Sequence, residues 1–520
     1  MNKFKYLILI AAVGFFASSC HKTLELAPED YFGAGNFWKN EAQVTNFMIG
    51  LHKQFRDHQF MFFRLGEMRG GSLSDQQVLG ASLNELTIID QAIQETSSGV
   101  SNWAGFYNSI LQLNLFIQKV EGINFLPSDK KNYLLGQAYA MRAYYYFTLL
   151  RTYGGVPLQL EPEVSNGNTD PVKLRKARST EPEILAAVKA DVEKAVTDFG
   201  NQPSQDKNQW NPMAALMLKG DVYLWSAKVY GNTSDLETAK SALTAVQGFS
   251  LIPNFADVFS TKNNNEIIFS IHYNDGEDDM GTGYSYFTYS TFNFNSLFVK
   301  DSTTLGPLLV DPLEIGTASA QPIQRYRYKY ELFQSYNPAD TRRDATFYDY
   351  YQTSSNGSGG INVGIHNTAL VKFLGHINSA SKRVFDNDWP VYREADRLLM
   401  LAEIVNAEGG DPTQYIQQVR DRAFGGAGND PNPFVNGSKD DNELAIFAER
   451  SKEFVYEGKR WYDLRRMQFG GQPLVFISPD QPYGVLDKST EAYKILWPIE
   501  TGIWTNDPLV DQTPGYPTSK

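Results

Sequence analysis

Five apolar residues, Leu134, Ala138, Met141, Tyr145 and Leu149, follow one another at intervals of four, three, four and four. Helical geometry puts such a set on one face, whereas a strand alternates its side chains with period two. The spacing predicts a helix that Gly154, Gly155 and Pro157 terminate. Thr180 and Glu183 form a capping box opening a helix to about Phe199. Ala215, Leu218, Val222 and Trp225 make another stripe, broken by Gly231-Asn232 and followed by a helix from Asp235 to Val246. A second pair covers Arg393 to Asn406 and Thr413 to Arg422, with Gly409-Gly410-Asp411-Pro412 as its turn. Two antiparallel helices in about 34 residues make a tetratricopeptide-like unit. The expected fold is mostly α, with tetratricopeptide-like helical hairpins as scaffold; a generic helical bundle is the alternative.

Residues 249–392 depart from that pattern. Glu266 to Ile271 reads as a short strand, and the stretch beyond it is rich in Gly, Ser, Asn, Tyr and Phe. Within it, Ser355 to Gly360 has the composition of a flexible loop. A long irregular stretch inside a compact domain is uncommon and often functional. The expected organisation is a leader over residues 1–19, a helical N-terminal region over 20–248 and a C-terminal region over 249–520. The C-terminal region carries a loop-rich, short-strand-containing insert, and the two regions form one compact body.

The leader is read from Lys3 and Lys5, the apolar run Tyr6 to Phe16, and Ala17-Ser18-Ser19 directly before Cys20. A positive start, a short apolar run and small residues make a secretory signal. A cysteine at the cut is where lipoproteins receive their acyl chains, and several chains anchor far more firmly than one. Cys20 is the only cysteine in the chain, so its acylation would leave no thiol for a disulfide or a metal. The expectation is a lipoprotein whose body is tethered to a membrane through Cys20. With 47 basic against 59 acidic residues the formal charge is −12, which argues against nucleic acid as a partner.

Several blocks stand out along the chain: Leu24 to Phe32 with Asn36-Phe37-Trp38; Ala140 to Phe147 running on through Tyr153-Gly154-Gly155-Val156-Pro157-Leu158; and Trp389 to Glu403. The last blocks are Glu449 to Arg466, and Trp497-Pro498-Ile499 with Asn506 and Gln512 to Tyr516. In that order they resemble the SusD/RagB family, lipoproteins exposed at the outer-membrane surface of Bacteroidota. In the third block Tyr392 precedes Arg393, where the family more often has the reverse order. The resemblance implies an α-rich body working as a lid on a SusC-like TonB-dependent transporter, delivering glycans or, in some members, peptides.

No nucleophile elbow, phosphate loop or dinucleotide fingerprint occurs at a strand-to-helix turn, and the six histidines lack metal-ligand spacing. No cofactor, metal or catalytic residue is expected. Glu449, Glu453 and Glu457 recur every four residues and are expected on one helix face. They could serve as a glycosidase's carboxylates, but Arg450, Arg460, Asp463, Arg465 and Arg466 around them favour ion pairing. Arg325 to Tyr330 alternates basic and aromatic residues, which reads as a strand with cations on one face and tyrosines on the other.

Ligand stacking is expected from Tyr284, Tyr286, Phe287, Tyr289, Phe292 and Phe294, interleaved with small polar residues. Sugars present flat C–H faces to rings and hydroxyls to polar groups; the alternative is that this segment pads a loop against the helices. A second candidate is the loop Arg64 to Gln77, with Arg69, Asp75 and Gln76. The resemblance adds Trp103 with Tyr107, for which core packing competes with stacking. Glu277, Asp278 and Asp279 are adjacent acids, solvated or cation-coordinating. Three readings stay open: glycan capture, peptide capture and a surface hydrolase.

Overall fold

The computed structural model describes residues 37–74, 83–100, 102–164, 167, 170–289, 298–299, 311–318, 324–358, 360–477 and 484–517. The proposed leader and Cys20 lie outside them. Among the described residues no helix is long and apolar enough to cross a membrane.

The expected helices are present. We label α1 Glu41–Asp57, α2 Ala104–Glu121, α3 Ser128–Tyr153, α4 Glu181–Phe199, α5 Pro212–Val229 and α6 Asp235–Ala245. The α3 helix is buried all round from Tyr133 to Tyr153 rather than along one stripe. It packs against α2, α4 and α5, and a helix enclosed by others presents apolar groups on every side. Its Arg142 is held by both carboxylate oxygens of Asp191 at 2.7 Å. Gly154 ends α3 at φ 72°, where a side chain would be strained. The capping box at the start of α4 forms as expected, with Thr180 and Glu183 bonding each other's backbone amides.

Helices α5 and α6 pair as one hairpin, and α7 Glu394–Ala407 with α8 Thr413–Ala423 form the second. Helix α9 is Lys439–Glu453 and α10 is Arg460–Arg466. The helical scaffold expected from the sequence is therefore the observed one.

The insert contains more strand than expected. Besides the expected β1, Ile267–Ile271, it holds a hairpin of β2 Phe347–Ser355 and β3 Ile361–Leu370. A further strand, β4 Trp389–Arg393, pairs antiparallel with β1. The hairpin turn lies near Asn356-Gly357-Ser358, inside the stretch with flexible-loop composition.

The carboxylates at the end of α9 need one correction. The helix stops at Glu453, and Glu457 sits in the following turn, where Tyr456 and Gly458 take φ 66° and 69°. That turn brings Glu457 back to its neighbours. Arg393, fully buried, reaches Glu266 at 2.7 Å, Glu453 at 2.6 Å and Glu457 at 2.8 Å. Arg342 reaches Glu449 at 2.5 Å and Glu453 at 2.9 Å, and Arg422 joins Glu266 to Glu453. Burial alone would push the Glu453 carboxyl up, but Arg422, Arg393 and Arg342 outweigh it and hold it well below the usual range. A general acid needs the opposite shift. This lattice fastens β1, β4, α8 and α9 to one another.

Candidate functional site

The segment chosen for ligand stacking divides into inward and outward rings. Tyr284 is wholly buried: its hydroxyl donates to the Leu370 carbonyl at 3.0 Å and accepts from the Phe373 amide at 3.0 Å. Tyr289 is also buried, donating to Asp311 at 2.5 Å and accepting from the Leu313 amide at 2.7 Å. Phe287 packs among Phe63, Tyr326, Tyr328 and Tyr456. These three rings hold the segment in place. Tyr286 alternates outward and is half-buried, with the Arg325 guanidinium 4.3 Å from its ring centre. Phe292 and Phe294 lie outside the described residues.

The second candidate segment meets the first through a common ribbon. Residues 324–329 run extended, short of the strand expected through Tyr330, which instead opens the helix Tyr330–Gln334. The amides of Arg325 and Tyr326 both donate to the Tyr286 carbonyl, at 2.9 and 3.1 Å. Further along, the Ser74 amide donates to the Arg327 carbonyl at 2.9 Å and the Lys329 amide to the Ser72 carbonyl at 2.8 Å. Leu73 and Tyr328 thus form an antiparallel bridge. Tyr326 and Tyr328 point inward at 1% and 3% exposure, whereas Arg325, Arg327 and Lys329 point outward. This is the two-faced alternation expected of the stretch.

Of the loop's polar candidates, Asp75 and Gln76 lie outside the described residues. Arg69 is buried, its guanidinium 4.0 Å from the Trp461 ring centre and its Nε donating to Gln91 at 2.8 Å. Trp103 is 7% exposed and packs edge-on against Tyr107 and Tyr153, while Tyr107 donates its hydroxyl to the Pro157 carbonyl. Glu277 and Asp278 are engaged by Arg56 at 2.6 and 3.3 Å. Among the described residues no group of three or more His, Cys, Asp or Glu is arranged to hold a metal.

The far end of the ribbon carries a cluster that sequence reasoning missed. His366 lies between Tyr351 and Tyr330, with both ring centres 4.0 Å away, and the Tyr351 pair is nearly parallel at 12°. The Tyr330 hydroxyl is 2.9 Å from His366 Nε2, and Asp349 is 2.6 Å from the same nitrogen. All four side chains are half-buried. The β2–β3 register brings Tyr351 opposite His366, and the ribbon delivers Tyr330 over them. The available signal was the aromatic run Phe347-Tyr348-Asp349-Tyr350-Tyr351 followed by Asn356-Gly357, a hairpin pattern. Arg325 and Tyr330 are five residues apart, so the two aromatic stations are joined by at most about 18 Å of extended chain.

The sequence matches the SusD family over residues 259–516 and, over residues 25–224, a family described as starch-binding and associating with the outer membrane. The structure is similar to that of a SusD superfamily protein from Bacteroides fragilis, with 36% identity and a TM-score of 0.82, covering 92% of this chain and 100% of that one. It is also similar to B. fragilis NanU, at 33% identity and a TM-score of 0.78, covering 95% and 100%. SusD-like protein P38 of Formosa agariphila is 26% identical over 99% of this chain and 100% of its own. Matched in both halves, and 36% identical to a structure it covers from end to end, the chain belongs to the SusD family.

Proposed function

We propose that this protein captures glycans at the cell surface and passes them to a SusC-like TonB-dependent transporter, held on the outer membrane by acylated Cys20. The observation that carries this reading is the ribbon 324–329, which draws Tyr286, Tyr330, Tyr351 and His366 into two half-buried aromatic stations beside outward polar side chains. Half-buried rings offer a flat apolar face to a sugar's C–H surface, and the neighbouring donors serve its hydroxyls. The family description as starch-binding and associated with the outer membrane supports the same reading. Capture without turnover fits the α9 carboxylates, which are buried among arginines, with Glu453 held well below the usual carboxylate range.

Affinity electrophoresis and calorimetry of residues 21–520 against plant, host and microbial polysaccharides test the proposal, with Tyr286→Ala and Tyr351→Ala alongside. Binding to a polymer, weakened by either change and without loss of polymer mass, is the expected result. Failure to bind any glycan would turn the reading toward peptides, and degradation of the polymer would revive the hydrolase.

A further inference from the structure

The ribbon's first outward cation stands apart from the other arginines. Those near it on the insert have partners: Arg383 donates to the Leu313 and Leu374 carbonyls, and Arg343 pairs with Asp344. The Arg325 guanidinium rests on Tyr286 and, among the described residues, has neither a carboxylate nor a hydrogen-bond acceptor. Its Nε is buried without a partner among the described residues, as is that of Arg383, but only Arg383 has its other guanidinium nitrogens on acceptors. The chain as a whole carries −12, so a guanidinium with no carboxylate beside it among the described residues is not explained by a shortage of acids.

We propose that Arg325 makes this site selective for glycans bearing an anionic substituent, a carboxylate or a sulfate ester. The inference rests on the glycan-capture reading and deepens it. Stacking on Tyr286 fixes the plane of the guanidinium, so less freedom is lost when its N–H edge engages an anion. Carboxylate and sulfate oxygens match that planar fork with two parallel hydrogen bonds, whereas a hydroxyl takes only one. Arg327 and Lys329 follow on the same outward face, and their positive field favours the approach of a polyanion to an otherwise acidic body.

The test pairs each charged polymer with its neutral counterpart: polygalacturonate with carboxyl-reduced polygalacturonate, and a sulfated galactan with its desulfated form. Residues 21–520, wild type and Arg325→Ala, are titrated calorimetrically, with Arg325→Lys as a second variant and thermal melts to confirm folding. At least one charged polymer should bind ten-fold or more tightly than its neutral partner. Arg325→Ala should remove that preference, and Arg325→Lys should keep part of it. Which pair shows the preference distinguishes carboxylate from sulfate. Equal binding of charged and neutral forms, or a preference unchanged in Arg325→Ala, overturns the proposal and leaves glycan capture standing. Absence of binding to charged and neutral polymers alike overturns both.

Discussion

Glu67 and Tyr328, 261 positions apart in the chain, are joined by a 2.8 Å hydrogen bond from the tyrosine hydroxyl to the carboxylate. The same carboxylate accepts the Tyr456 and Gly458 amides, each at 2.8 Å. One buried side chain thus ties the ribbon of the candidate site to the turn after α9. Tyr328→Phe keeps the ring and removes this donor, so it should cost about 1–2 kcal/mol in urea unfolding. Glu67→Gln sets an amide nitrogen toward backbone donors and should cost more. If both variants unfold like the wild type, the carboxylate does not hold these segments together.

Gly66 lies in the π-helical turn Arg64–Met68, directly against that same loop. A Cβ there would stand 1.8 Å from the Gly458 carbonyl oxygen, a backbone atom with no freedom to withdraw. Gly66→Ala should therefore destabilise by about 3 kcal/mol or more, the upper end of overpacking penalties. Gly50 has open space around it, so Gly50→Ala in the middle of α1 should be neutral or mildly stabilising. The contrast is read by paired thermal melts.

Glu453 answers Arg342, Arg393 and Arg422. Glu453→Gln leaves buried guanidinium charge uncompensated and should cost about 3–5 kcal/mol. Folded at low temperature, the variant should bind glycan as the wild type does, since the lattice supports the site without forming it. A variant of normal stability would mean that the buried charges are compensated elsewhere.

His52 provides a pH dependence. Its Nδ1 lies 3.0 Å from the Met48 carbonyl and must donate to it, while Nε2 accepts the Trp210 amide at 3.1 Å. Both nitrogens are committed to the neutral ring, although its edge is partly exposed. Burial pushes its pKa down to about 4, only partly offset by the Met48 bond and Asp206. The unfolded chain takes up this proton near pH 6.5, so between about 6.5 and 4 the unfolded state binds more protons. The stability associated with neutral His52 is present above that range and is lost as pH falls through it. His52→Gln should flatten this part of the stability–pH curve; an unchanged slope would assign it to other groups.

The periodic features were legible in the sequence because they are local. The α3 helix, the Thr180–Glu183 capping box, both helical hairpins, β1 and the two faces of the ribbon follow from spacing and termini, and each is present. So was the pairing of Glu449 and Glu453 with arginine, although the helix expected to carry Glu457 ends four residues earlier. The β2–β3 hairpin was hidden because a Gly- and Ser-rich turn has the composition of an unstructured loop.

The sequence alone determined that the chain makes paired helices around an irregular aromatic insert, since helical period and chain termination depend on neighbours a few residues away. Only the tertiary structure decided which rings of that insert face outward. Tyr284, Tyr286 and Tyr289 are indistinguishable in composition, yet hydroxyl partners from residues 311–313 and 370–373 draw two of them inward and leave Tyr286 beneath Arg325. Burial of a particular ring depends on contacts between segments distant in the chain, and the ribbon that gathers the site from three such segments exists only once they have packed.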